Sequence, residues 1–311
     1  MDLKDISRIG LGGCELPYDQ EKANELIDFA LKNNINFFDQ GWRYGGDEHK
    51  SEKILGTYIE KNPKVRDSII ICDKLPIEEN LYEQFDYNGS NIEEIFEKIF
   101  NEQLECLKTD YIDIYMIHAI DDCKFMTEDK YISAIKWMQQ KKAEGRIRHI
   151  GFSAHIDIYR LNYYLDLFEK NFGKGVVDTI MLAYNIFSGS NWVTRETGIK
   201  VWDNPGPKGL ELCKERGVKV ISMMPLESGR ALEVSHDKTF TDWCYKFIFD
   251  NKNIVSTLAG TSKISHLQQA IDVLNKNNVL AVKAANVNLS KDDAKTIELA
   301  RKEKKAKKEN K

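Results

Sequence analysis

Apolar residues in this chain follow two rhythms that alternate from one end to the other. Short strand-like runs rich in apolar residues occupy residues 6–13, 35–39, 69–73, 112–117, 147–153, 179–183, 218–224 and 254–260. Between them, apolar positions recur every three or four residues, as along one face of a helix. Ala23, Leu26, Ile27, Ala30 and Leu31 form one such stripe, and Ile92, Ile95, Phe96, Ile99, Gln103 and Leu107 another. Helices are expected over 19–33, 49–61, 90–107, 131–144, 156–170, 205–216 and 240–251, with a last one from Ser262 or Ser265 to 275. Asp19 or a neighbour caps the first, Ser90-Asn91-Ile92-Glu93 has the form of a capping box, and Gly145 and Gly217 are stops.

Strand–helix alternation of this kind means a parallel sheet. Eight units within about 270 residues, with no linker rich in Pro, Gly or Ser, fit one closed α/β barrel of the (β/α)8 TIM type. No sequence repeat of fixed period runs through the units. The expected domain covers residues 1–290, and 291–311 form a charged helix or tail.

Three of the strand runs end on polar residues. The first delivers Asp39, the next Lys74 and the third His118, while Tyr44 follows Asp39 in a loop punctuated by Gly41, Gly45 and Gly46. In a parallel barrel all C-terminal strand ends open on one face, so these four side chains converge if their strands are neighbours. A free phenol titrates near pH 10. An adjacent ammonium favours its anion, and one close charge supplies the roughly 3 to 4 kcal/mol that a shift of two to three units requires. Lys74, held charged by Asp39, is therefore expected to lower the Tyr44 pKa, with His118 orienting a substrate oxygen. Taken singly, a loop tyrosine, a lysine after a strand and a histidine ending an apolar strand have ordinary structural readings.

Composition excludes several other classes. The 311 residues carry a formal net charge of −4, which points to no nucleic-acid partner for the body of the protein. The last eleven residues, RKEKKAKKENK, are strongly basic and read as a solvated tail. Six cysteines at positions 14, 72, 106, 123, 213 and 244 show no Cys-x-x-Cys spacing and read as reduced thiols. No signal-peptide pattern opens the chain and no run of 18 apolar residues occurs, so a cytoplasmic protein without a membrane partner is expected. A metal is not expected, because no cluster of His, Cys or carboxylate shows ligand spacing.

Two loops are longer than minimal connections. Residues 186–204 carry Phe187, Trp192, Arg195 and Trp202, and residues 76–90 carry Tyr82, Phe85 and Tyr87. Trp42, Trp192 and Trp202 are candidate substrate walls beside Tyr44 and His118, or they cover the barrel rim. The Gly10-Leu11-Gly12-Gly13 turn lacks the dinucleotide fingerprint; it lets backbone approach a ligand, or only ends a strand.

Four segments in order carry a family resemblance. FFDQGWRYG, LKTDYIDIYMIH, GRIRHIGFS and VISMMPLESG resemble the motifs of strands two, four, five and seven of the aldo-keto reductases, and the likeness extends over about residues 6–275. It is similar to the iron–sulfur-associated branch of that family but lacks the cysteine-rich appendage. The resemblance implies that Asp39, Tyr44, Lys74 and His118 are the catalytic four, with Tyr44 as proton donor in hydride transfer from a nicotinamide to an aldehyde, ketone or sugar carbonyl.

The resemblance further implies cofactor contacts. Gly12, Gly13 and Asp39 belong to the first strand ends. Ser153, Ala154, Met181, Met223, Pro225, Leu226 and Ser228 would hold the nicotinamide side. Gly260, Thr261, Ser262, Lys263, His266 and Gln269 would hold the adenosine phosphate. Ala154 and Met181 replace the Asn and Gln usual in the family, so two amide anchors are missing, and His155 and Asn185 are candidate substitutes. Lys263 favours NADP(H), with NAD(H) as the other possibility. The competing reading of these departures is a catalytically weak nucleotide-binding barrel with a regulatory or subunit role.

Overall fold

In the computed structural model, which describes residues 2–188, 202–234 and 238–276, eight strands close into a barrel in chain order. They are β1 (Ile9–Gly12), β2 (Phe37–Asp39), β3 (Ile70–Leu75), β4 (Ile112–Ile117), β5 (Ile147–Ala154), β6 (Thr179–Ala183), β7 (Lys219–Met223) and β8 (Ile254–Ala259). Every neighbouring pair is parallel, and β8 closes against β1. The (β/α)8 barrel expected from the apolar rhythm is the fold of this chain.

Helices α1 (Gln20–Lys32), α2 (Lys50–Lys61), α3 (Glu79–Gln84), α4 (Ile92–Leu107), α5 (Glu128–Ala143) and α6 (Ile158–Phe172) follow in order. After them come α7 (Gly206–Glu215), the single turn α8 (Ala231–Val234), α9 (Lys238–Phe249) and α10 (Ile264–Asn275). Asp19 does cap α1, its carboxylate accepting the Lys22 N–H at 3.0 Å. The capping box proposed at Ser90 does not form. Asn91 is the N-cap of α4, Ser90 Oγ donates to Asn88 Oδ1, and Glu93 pairs with Lys136 on α5. An asparagine two residues earlier captures the serine before the helix can use it. The 76–90 loop contains α3, whose Tyr82 is fully buried with its hydroxyl on the Pro76 carbonyl.

Two apolar layers build the core. The larger lies between sheet and helices, and the smaller fills the barrel with Phe37, Ile70, Cys72, Ile114, Met116, Met181, Ile221 and Leu258 above a plug of Leu3 and Ile6. The Phe37 ring sets a local requirement: a Cβ on Gly10 would lie 2.3 Å from it, so β1 has no side chain at that level. Among the described residues no helix is long and apolar enough to cross a membrane. All six cysteines are free thiols. Trp192, Arg195 and the charged segment 291–311 lie outside the described residues.

Candidate active site

Backbone pairing brings the strand ends together before any side chain is considered. Asp39 on β2 is level with Cys72 on β3, and Lys74 on β3 is level with Met116 on β4. Two further bonds extend the ladder past the strands, Gln40 N–H to the Cys72 carbonyl at 2.8 Å and His118 N–H to the Leu75 carbonyl at 3.0 Å. Lys74 and Cys72 share one face of β3, with Cys72 in the barrel interior, so the lysine rises from that layer toward the mouth.

There Lys74 Nζ donates to Asp39 Oδ1 and to the Gln40 carbonyl, both at 2.6 Å. The loop after β2 turns back at once, with Tyr44 N–H on the Gly41 carbonyl at 2.9 Å. The Tyr44 ring lies directly over Gly41, where an added Cβ would come within 3.0 Å of it. The ring centre is 4.6 Å from Lys74 Nζ and 5.8 Å from the His118 ring, which meets it edge to face. The four side chains picked out at strand ends are thus one cluster.

The electrostatics differ from the expectation in one respect. The Tyr44 phenol is held above its ordinary value, because burial outweighs the ammonium of Lys74 and Asp39 adds to the upward push. The ammonium is already paired with a carboxylate at 2.6 Å, so Tyr44 faces an ion pair and not a free cation. Burial raises the Asp39 carboxyl, with Lys74 opposing. For Lys74, burial pulls down, but Asp39, Tyr44 and Cys72 outweigh it and hold the ammonium well above its usual value. His118 is pushed down to about 3 by burial, assisted by the charge of Lys74 and by His155.

A family model described as the aldo/keto reductase family matches residues 8–234 of the chain. This chain belongs to the aldo/keto reductase family. It is 28% identical over 293 residues to the uncharacterized oxidoreductase YqkF of Bacillus subtilis, covering 87% of this chain and 88% of that protein. It is also 28% identical over 297 residues to L-galactose dehydrogenase of Arabidopsis thaliana, covering 86% and 83%. A solved aldo-keto reductase of Klebsiella pneumoniae, in complex with NADPH, superposes with a TM-score of 0.63 at 15% identity, over 94% of this chain and 90% of that one. The protein is accordingly an oxidoreductase of the NAD(P)H-dependent carbonyl-reducing kind.

The remaining residues assigned to this aldo/keto reductase site fall into three sets. Ser153 and Ala154 end β5 and Met181 lies in β6, all buried; Ser153 Oγ accepts the Ala119 N–H at 2.8 Å and so fixes the residue after His118. Asn185 has no free amide N–H to offer as a replacement anchor. Its Nδ2 donates to the Met224 carbonyl at 2.9 Å and to the Glu227 carboxylate, and its Oδ1 accepts the Phe187 N–H. His155 is available: its Nδ1 is buried without a hydrogen-bond partner, and its ring packs on Trp202 with centres 4.6 Å apart.

After β7, Met224, Glu227 and Ser228 all have positive φ, which coils Pro225, Leu226 and Ser228 into tight turns. At the end of β8, Gly12 and Gly260 approach closely, since a Cβ on Gly12 would lie 3.6 Å from Gly260 Cα. Gly13 lies against Asp39 and Gln40 on its other side. Thr261 Oγ1 accepts the Lys263 N–H at 3.0 Å, and Lys263 is the N-cap of α10 with no side-chain cap on the first turn. His266 lies within that first turn, while the Gln269 amide donates to Asp242 Oδ1 on α9. Trp42 is 2% exposed and packed on His49 and Phe85.

Behind β3 lies a polar layer that strand-end reading missed. Asp73 Oδ1 accepts the Lys74 N–H at 2.8 Å, and Gln103 Nε2 donates to the Lys74 carbonyl at 2.9 Å. Gln103 also donates to Glu52 and accepts from the Tyr115 hydroxyl. Burial raises both the Glu52 and Asp73 carboxyls, and the charge of Glu52 pushes Asp73 further up. Lys74 is thus clamped on both sides of its backbone. The signal in the sequence was polarity out of place, an Asp inside an apolar strand and a Gln inside an apolar stripe.

Proposed function

We propose that this reductase acts on an aldehyde, ketone or sugar carbonyl, or oxidises the corresponding alcohol, with Tyr44 as the general acid/base. The observation that carries the reading is the packing of the Tyr44 phenol between the Lys74–Asp39 ion pair and the neutral ring of His118. Burial keeps Tyr44 protonated at neutral pH, so the proton is in place before reaction. As charge develops on the substrate oxygen, Tyr44 donates, and the phenolate left behind is stabilised by the Lys74 ammonium. His118, uncharged throughout the physiological range, donates a ring N–H hydrogen bond to the same oxygen and sets its direction. It is too weak a base to compete with Tyr44 for the proton.

The residues present fit a nicotinamide dinucleotide. The unpartnered Nδ1 of His155 is a buried polar atom with no partner in the protein, and it takes the place of the amide anchor that Ala154 cannot supply. The uncapped first turn of α10 presents backbone N–H groups to a phosphate, and Lys263 adds a positive charge at the same end. That charge favours NADP(H) over NAD(H). Bound there, the cofactor supplies the hydride, while the protein residues above handle the proton. A relative named for L-galactose oxidation supports a sugar as one substrate class.

Replacing Tyr44 by Phe tests the assignment. Turnover of a carbonyl panel should vanish while quenching of tryptophan fluorescence by NADPH persists. Unchanged turnover would remove Tyr44 from the chemistry.

A further inference from the structure

Away from the barrel mouth, a second set of side chains converges from two helices. Helix α2 crosses α4 so closely that a Cβ on Gly56 would overlap the Cys106 carbonyl at 1.8 Å. This contact lays the first turn of α2 against the last turns of α4. His49, which precedes α2 in a left-handed conformation, and Glu52 project from one side. Cys106, on α4, faces them, and Glu102 one turn earlier lies on the same helical face.

One donor atom each from His49, Glu52 and Cys106 fall within 4.8 Å of one another. His49 Nδ1 contacts the Glu52 carboxylate, and His49 Nε2 lies 3.6 Å from Glu102 Oε2. The His49 side chain is 8% exposed, and its Nε2 is buried with no hydrogen bond. Glu52 is fully buried, and among the described residues its only ion-pair partner is this imidazole. A buried carboxylate without a fixed cation is costly, and an ion between these donors would offset that cost. The Trp42 indole, 3.9 Å from the His49 ring, fixes the ring's orientation.

We propose that His49, Glu52 and Cys106 form a site for a first-row divalent cation, zinc being the natural occupant, with Glu102 beside the imidazole at its solvent side. The mixture of imidazole, thiolate and carboxylate suits Zn²⁺ and disfavours Mg²⁺ or Ca²⁺, which take oxygen donors. Glu102 is 46% exposed and Cys106 is partly so, which gives the ion a path from solvent. The site is structural. Gln103 joins Glu52 to the Lys74 carbonyl, so an ion that ties α2 to α4 stiffens the support behind Lys74 without touching the reacting atoms.

The test uses untagged full-length protein, stripped with chelator and titrated with Co²⁺ and then Zn²⁺. A thiolate-to-cobalt charge-transfer band saturating at one equivalent, bleached by Zn²⁺, is expected. In Cys106→Ser the band should disappear, and Zn²⁺ affinity should fall by more than the roughly 10- to 100-fold typical of losing an outer-shell partner of a ligand. Circular dichroism confirms that the variant is folded, and His49→Gln serves as the second variant. No band in the parent protein, or a band that survives both substitutions, overturns the proposal.

Discussion

Lys74 Nζ lies 2.6 Å from Asp39 Oδ1, and the two side chains are 1% and 2% exposed. Removing either charge leaves the other buried without a counter-charge. Asp39→Asn and Lys74→Met should each cost about 3–5 kcal/mol of stability, whereas the double variant should cost less than the sum of the singles. All three should lose turnover. Urea unfolding of the four proteins measures the coupling, and additive losses would mean that the pair is already screened by water.

His118 gives a pH dependence with a definite sign. Its folded value is pushed down to about 3 from an ordinary value near 6.5, so the unfolded chain binds a proton that the folded chain refuses. The stability of the neutral form is complete above about pH 6.5 and declines as pH falls toward 3, by at most about 1.4 kcal/mol per pH unit. Thermal unfolding from pH 7 to pH 4 should therefore be shallower in His118→Phe than in the parent. Parallel curves would show that the imidazole titrates normally.

Glu227, 2% exposed, accepts from the Asn185 amide and from the Trp202 N–H at 2.7 Å. Glu227→Ala strands both donors. A loss of about 1–3 kcal/mol for each donor left unsatisfied is expected. Because the bonds tie the β6 and β7 loops at the barrel mouth, KM for nicotinamide nucleotide should rise more than kcat falls. A fall in kcat at constant KM would place Glu227 in the chemistry instead.

At the other end of the nucleotide, Lys263→Ala should discriminate between cofactors. Loss of one cation at a phosphate corresponds to about tenfold in KM for NADPH, or about 1.4 kcal/mol, while NADH is nearly unaffected. Steady-state kinetics with both nucleotides decide it, and equal effects would remove Lys263 from the 2′-phosphate.

The barrel was legible because eight buried runs and their helical partners keep distinct periods, and because a polar residue at the end of an apolar strand is conspicuous. Asp39, Lys74 and His118 all carry that mark. The direction of the Tyr44 shift was not legible: it depends on how much water the fold removes and on Lys74 being spent on Asp39, neither of which is local. Trp42 and Asn185 look like open mouth residues in sequence, yet both are buried, Trp42 against His49 and Asn185 against Glu227. The pairing of His49 with Cys106 joins positions 57 residues apart and has no sequence spacing to betray it.

The interior layer beneath the Lys74–Asp39 pair has one more consequence. Ile70, Cys72, Ile114, Met116, Met181 and Ile221 are hydrocarbon and sulfur, poorly polarisable by comparison with water. They act as an electrical insulator on one side of the pair. Screening from below is weak, so the field of a single lysine–aspartate pair is focused toward the barrel mouth.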